Sequence, residues 1–516
     1  MNDAVKIPEH PSDSQSDSQS DSTPGELVQS PDALQRHLTS RQIQFIAIGG
    51  SIGTALFVSI GYALMRGAGS LLVAFILQTC IMALVNNALA EMTVFMPVSA
   101  AFVQHASVWV DSAWGFMSGW NFCIFEGLLI PFEITALDIV LTFWRDDIPA
   151  AAVISACIVL YTATNFFAVR YFGEAEFWLA GGKLLLITIL FFFPFITMVG
   201  GNPQHDVYGF RNWSEPSPFV EYISSGDLGR FQGALAALWQ AAFTIVGPEY
   251  LACVAGEAQQ PRKTMKRAFK SVYWRFGLFF IGGALCVGIV LPANDPTLLR
   301  VLGSGNTGTG AASPYVIAMT NMGIEGLPYL VNALLFTSIY SAGNAYVYTT
   351  SRSLHGLAQN GHAPKFFRKC TKDGVPIYCL AVALAFAALK AQGFSRTELP
   401  YRGYFQPYGT WIALIWLVGV EIFYGYAVFL RGRWDVGSFF SDYTMAFLVI
   451  GTFTGWKIVK RTRLVRPQEA DLVWVRPAVD AHEAAMEEEQ AGTRKRVMQV
   501  LQATWKGTRV AGPSMV

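Results

Sequence analysis

An all-α polytopic membrane protein is the fold class this sequence predicts, and three observations predict it. The residues are 53% hydrophobic and only 14% charged, where a soluble domain carries about a quarter charged. Apolar runs of the ~20 residues needed to cross a bilayer recur along the chain. Two of those runs, Ile43–Met65 and Gln232–Gly256, are interrupted near their middles by residues that make poor helix interiors. The net charge of +1 gives no reason to expect a nucleic acid partner.

The first interruption is Gly49-Gly50-Ser51-Ile52-Gly53-Thr54, between the apolar flanks IQFIAI and ALFVSIGYALM. Three glycines with Ser and Thr in six residues disfavour a continuous helix. Lipid cannot pair bare peptide groups, so such a break must face protein or a watery cavity. The N–H groups of Ser51, Ile52, Gly53 and Thr54 then begin a half-helix and form a candidate anion site. The plainer alternative is that the glycines only let helices pack closely.

The second interruption is Phe243-Thr244-Ile245-Val246-Gly247-Pro248-Glu249. Pro248 has no N–H and leaves the Thr244 carbonyl without a helical partner. Phe243, Thr244 and Ile245 are therefore candidate carbonyl ligands, with the Phe243 ring as a lid; a simple proline kink is the alternative. One break offers N–H groups and a positive helix end, the other carbonyls, and together they suit a ligand with both a carboxylate and an ammonium. An amino acid fits that description.

Taken in order, residues 1–37 read as a disordered cytosolic tail, with the low-complexity run SDSQSDSQSDS at Ser12–Ser22 and no apolar core of a signal peptide. A membrane domain is expected at 38–460 and a cytosolic C-terminal tail at 461–516. After the first span, crossings are expected near Leu71–Phe95, Trp114–Leu141, Ala151–Val169, Phe177–Val199, Gln232–Gly256, Tyr273–Ala293, Leu327–Ser351, Gln406–Leu430 and Tyr443–Val459, ten in all with the first. The loops Glu257–Val272 and Arg352–Val375 are rich in Lys and Arg, whereas Gly200–Phe231 and Asn294–Ser313 are poor in them. The positive-inside tendency puts the basic pair and both termini in the cytosol, with Arg431 and Arg433 a mild conflict on the outer side. The sequon Asn212-Trp213-Ser214 lies in an outer loop, making Asn212 a glycosylation candidate. The seven cysteines match neither a disulfide nor a metal pattern. Pro376–Leu389 holds an apolar run of about 13 residues, short of a crossing, with basic residues on both sides.

Ionisable groups inside spans are costly and usually functional. Glu126 and Glu133, seven apart, fall on one helical face and could hand a proton along or simply bond neighbouring helices. Glu249 follows the second break and could feel the ligand or satisfy loose N–H groups of the unwound turn. Lys183 could load and release a proton, since desolvation makes an ammonium easy to neutralise; alternatively it snorkels to the inner surface. His355 and His362, in a basic loop, should only be solvated or touch lipid head groups. No nucleotide, metal or enzyme motif competes, and no cofactor is expected.

GGSIGTALF in the first span, GWNF…IPFEITA at Gly119–Ala136, VGPEYLACVAGEAQQPRK at Val246–Lys263 and ELPYRGYFQPYG at Glu398–Gly409 resemble the fungal amino acid permeases of the amino acid–polyamine–organocation superfamily, over about residues 36–475. The resemblance implies a LeuT-like fold of twelve helices, the first ten in two inverted five-helix repeats, and uptake of amino acids with protons, an activity that is not enzymatic. It also implies that Lys183 stands where sodium-driven members hold a sodium ion. The sequence departs from the family where a completed ninth span and a tenth should precede the ELPYRGYFQPYG loop, because Ala387 runs almost directly into that loop. Two crossings need ~40 residues or more, so either an exon boundary is misplaced or the protein is shortened. The expected partners are an amino acid, protons and the bilayer, in the plasma membrane. A receptor that binds without transporting, an inactive product, and a polyamine or choline-type transporter are the alternatives.

Overall fold

The first broken span shows how local sequence sets the elements. α1 (Ser40–Ser51) opens on a capping box in which the Gln42 N–H donates to Thr39 Oγ1 at 3.4 Å and the Thr39 N–H donates to Gln42 Oε1 at 3.1 Å, satisfying two orphan donors reciprocally. It stops where Ile52 turns extended, at φ −122° and ψ 102°. The chain resumes in a π-turn at Ala55–Ser59 and α2 (Ile60–Leu64), and the two halves of the span are bent by 45°. The computed structural model describes residues 38–98, 100–145, 147–166, 169–303, 313–363, 408–430, 432–466, 468–473 and 476–488, with Arg36 and Ala491. The rest of the expected 1–37 tail, the short apolar run Pro376–Leu389 and the Ala387–Ala388 junction lie outside the described residues, as does the side chain of His355.

There follow α3 (Ala68–Phe95), α4 (Ala101–Trp109), α5 (Ser112–Leu141), α6 (Ala150–Phe166), α7 (Val169–Thr197), the single turn α8 (Arg211–Ser214), α9 (Gly226–Thr244) and α10 (Pro248–Val254). α11 (Pro261–Arg275) passes through a π-turn at Phe276–Ile281 into α12 (Gly282–Val290). α13 (Pro296–Gly303), α14 (Pro314–Asn321), α15 (Leu327–Gln359), α16 (Tyr408–Phe423) and α17 (Val436–Lys460) come next, and α18 covers 476–488. Among the described residues, helix lies within each of the ten expected stretches, and the two interrupted ones are broken where expected. By length and apolarity, α3, Glu174–Thr197 and Pro261–Val290 each suffice to cross, and the bent first pair does so together.

α5 lies along α15, and the two come close because Gly119 has no side chain where a Cβ would overlap Leu357. At one end of the bundle the N-terminal and C-terminal segments converge. The Leu38 N–H donates to the Glu257 carbonyl at 2.9 Å and the Gln259 N–H donates to the Leu38 carbonyl at 3.0 Å. Glu483 on α18 accepts from the Arg262 backbone N–H at 3.1 Å, Lys263 pairs with Glu487 at 2.9 Å, and Arg262 also pairs with Asp480. Val479 on the inner face of α18 is fully buried, and Val465 donates its N–H to the Val110 carbonyl at 2.7 Å. Much of the expected C-terminal tail is thus docked on the bundle. Arg262→Ala removes the side-chain anchor of α18, and limited tryptic digestion should then cut after Arg476 several-fold faster than in the parent protein. An unchanged rate would mean that the Arg262 backbone bond to Glu483, the Lys263–Glu487 pair and apolar contacts hold the helix without that side chain.

His362 departs from its expected solvated role. It is buried beyond the end of α15, with Nε2 at 2.9 Å from Ser112 Oγ and its ring against Phe116 and Trp456. Burial lowers its pKa to about 4, so it stays uncharged at neutral pH.

Candidate functional site

The three glycines of the first break each admit a different neighbour. A Cβ at Gly49 would overlap the Glu176 carboxylate, and one at Gly50 would sit 2.8 Å from the Tyr250 ring. At Gly53 it would be 2.8 Å from Ala342 Cβ and 2.9 Å from Glu133 Oε1. Contacts this tight leave no room for a side chain. Close helix packing, the plainer of the two readings, therefore operates at all three glycines. The N–H groups beginning the outer half-helix belong to the same turn.

Side chains complete the break. Thr54 donates its hydroxyl to Glu133 Oε2 at 2.6 Å, and Ser51 turns its hydroxyl back to the Ala47 carbonyl at 2.7 Å. Lys183 on α7 donates to the Gly49 carbonyl at 2.6 Å and to the Ile52 carbonyl at 2.7 Å. Its side chain is fully buried, so it does not snorkel. An ammonium thus takes up carbonyls that the broken helix leaves without their usual partners.

The second break lies against the first. α9 ends at Thr244, Ile245 is extended at φ −90° and ψ 93°, and Gly247 adopts φ +146°, which an L side chain would strain. Pro248 then starts α10 at a position where its missing N–H costs nothing. A Cβ at Gly247 would lie 3.4 Å from Ser51 Cβ, so the two unwound stretches adjoin. Glu249 Oε1 accepts from the Gly247 N–H at 2.8 Å; this carboxylate serves the backbone of its own break.

Phe243 is 37% exposed and stands edge-to-face to Phe132 on α5, with ring centroids 6.0 Å apart. Below this pair, Tyr250, Ala342 and Tyr346 form a small core with Leu129, Ile130 and Val246 around them. Glu126 accepts from Thr349 Oγ1 at 2.6 Å and from the Tyr250 hydroxyl at 3.2 Å, tying α5 to α15 and α10. Glu126 and Glu133 therefore bind separate partners and share no hydrogen bond. Asn212 donates its amide to the Ile289 carbonyl at 2.8 Å; that amide nitrogen is the atom a glycan would need.

Three residues at this centre escaped the sequence reading. Phe132 and Tyr250 carry no signal beyond being aromatic in an apolar run. Glu176 does carry one, lying seven residues before Lys183 and so on the same face of α7.

The sequence profile described as amino acid permease matches residues 42–391 and 387–468. The chain belongs to the amino acid permease family. The two matched stretches meet at 387–391, where the sequence passes abruptly into the ELPYRGYFQPYG loop. Among curated relatives, this permease is 41% identical to the general amino acid permease AGP2 of Saccharomyces cerevisiae over 500 residues, covering 87% of this chain and 84% of that protein. It is 33% identical to a proline-specific permease of Emericella nidulans over 498 residues, covering 88% and 90%. The dicarboxylic amino acid permease of Saccharomyces cerevisiae is 31% identical, covering 87% and 81%. This protein is an integral membrane protein of amino acid transport.

Proposed function

We propose that this permease imports amino acids with protons across the plasma membrane by alternating access, with both termini in the cytosol. In this reading the helices form two inverted five-helix repeats. The amides of Ser51, Ile52, Gly53 and Thr54 take the substrate carboxylate, and the carbonyls of Phe243, Thr244 and Ile245 take its ammonium. The Phe243 ring closes over the site. One observation carries the proposal: a fully buried Lys183 ammonium holds two carbonyls of the first break, next to a second break of opposite polarity. A cation fixed there supplies the charge that a coupling ion would, and Lys can surrender it as a proton. Glu133, joined to the same break through Thr54, is placed to load that proton, whereas Glu126 and Glu249 bind the frame around the substrate.

The test is uptake of the twenty tritium-labelled amino acids, one at a time, into proteoliposomes holding the full chain. Acid outside should drive accumulation of at least one of them above equilibrium, and collapsing the gradient with a protonophore should abolish it. Exchange without accumulation would remove proton coupling from the reading. A second reading, a receptor that binds amino acids without moving them, draws on the junction of the two matched stretches at 387–391, where a pair of crossings is expected from the family. Binding without exchange would favour it.

A further inference from the structure

Lys183 has a second buried carboxylate for company besides Glu133. Glu176 is fully buried on α7, and Ser341 on α15 donates its hydroxyl to Oε1. Its other neighbour is the Asn344 amide on α15, so the carboxylate is fully buried with only neutral hydrogen-bond partners, an expensive state for an ionised group. The charge is not explained by packing, since seven residues along the same face Lys183 carries the opposite charge. Gly49 joins them: its carbonyl accepts from Lys183 Nζ at 2.6 Å, and its bare Cα leaves room for the Glu176 carboxylate.

The surroundings assign the two carboxylates to different ends. Glu133 is held by Thr54, at the start of the outer half of the first span. Glu176 precedes Lys183 by about two turns, or about 10 Å along α7, toward the end where α7 begins. There α1 covers it. Phe45 meets Phe177 edge-on at 4.7 Å, the Arg41 guanidinium lies 4.2 Å over the Phe177 ring, and Arg41 pairs with Glu174 at 3.8 Å. Arg41 and Glu174 are half-exposed, so solvent stands two residues from Glu176. The remaining polar groups facing this cluster are Ser341, Asn344 and Tyr340 on α15 and Tyr161 on α6, which stacks on Tyr340. Among these described neighbours Lys183 is the one cation that is buried.

We propose that Glu176 is the inner relay of the coupled proton, receiving it from Lys183 and releasing it to the cytosol when α1 separates from α7. Lys183 and Glu176 share no direct hydrogen bond or ion pair among the described residues, so one water entering between them carries the transfer. An N–H bond of the Lys183 ammonium breaks as that water takes its proton, and the water passes another to Glu176, where an O–H bond forms, leaving a neutral amine, a neutral carboxylic acid and the water unchanged. No electron is gained or lost. Parting the Phe45–Phe177 contact admits water, which takes the proton and restores the carboxylate. The inference rests on the proton-coupled reading above, and its test separates the two.

The full chain and its variants are reconstituted with an internal pH dye and given an equimolar mixture of the twenty tritium-labelled amino acids, acid outside. The readout is accumulation divided by exchange measured without a gradient, together with proton influx. Glu176→Gln keeps the shape and an acceptor for Ser341 but cannot take a proton. The ratio should fall at least about tenfold in Glu176→Gln and recover in part in Glu176→Asp, which a merely structural role would not produce. An unchanged ratio in Glu176→Gln, with Lys183→Met uncoupled, overturns the relay and leaves coupling intact. A parent protein with no substrate-linked proton influx overturns both. If Glu176→Gln does not reconstitute, the parent protein is treated with a hydrophobic carbodiimide, which attacks protonated carboxyls, and digested for mass spectrometry. Modification of Glu176 that grows as pH falls supports the relay; none at any pH overturns it.

Discussion

Lys183→Met should abolish accumulation driven by a pH gradient and flatten the dependence of uptake on external pH. If uptake is proton-coupled as proposed, the parent protein should take up more substrate as the outside is acidified. Methionine matches lysine in length and flexibility but carries no proton and donates no hydrogen bond. The Gly49 and Ile52 carbonyls would lose donors at 2.6 Å and 2.7 Å. Each buried, unpaired carbonyl costs ~1–3 kcal/mol, so the break should also shift its resting geometry. Uptake measured between about pH 5 and pH 8 separates the two effects: a lost pH response marks the proton carrier, and a weakened affinity marks the lost pin. A variant with the parent's pH response refutes the role given to Lys183.

The second large effect is expected at Gly53→Val. Even a methyl group there stands 2.8 Å from Ala342 Cβ and 2.9 Å from Glu133 Oε1, and valine adds two more carbons. Overpacking of this kind costs ~1–3 kcal/mol, and with Glu133 displaced from Thr54 the outer half-helix loses its side-chain anchor. Uptake should fall by about 10- to 100-fold, where ~1.4 kcal/mol is one factor of ten. Gly53→Ala should be milder, and adding Ala342→Gly should recover part of the loss because it empties one of the two contacts. Failure of that second change to help would locate the damage at the Glu133 side. Normal affinity in Gly53→Val would remove this residue from the site altogether.

The breaks were legible because they depend on backbone chemistry that single residues announce: Gly49, Gly50 and Gly53 in one span, Gly247 and Pro248 in the other. Lys183 was legible because a charge inside an apolar run needs a reason. Glu176 was missed through a boundary. Apolarity placed the start of the fifth span at Phe177, just past Glu176, whereas α7 begins eight residues earlier at Val169; a helix continues past charged residues as long as its neighbours satisfy them. The docking of α18 and the burial of His362 were illegible for another reason. Both depend on partners hundreds of residues away, such as Arg262 for Glu483 and Ser112 for His362, and no local pattern encodes a distant partner. The glycines were read as a helix break or as room for close packing, and the neighbours they admit are Glu176, Tyr250 and Glu133. Sequence marks where space is needed without saying who fills it.

The short parallel pairing of Leu38 with Glu257 and Gln259 fastens the beginning of α1 to the chain leaving α10, and α18 grips the residues immediately beyond. α1 and α10, one half of each broken span, are therefore yoked at their free ends, like two oars lashed at the handle. Neither can swing without carrying the other. A fluorophore on either half should report a single relaxation with one rate constant, because a displacement of one half is passed to the other through the backbone itself.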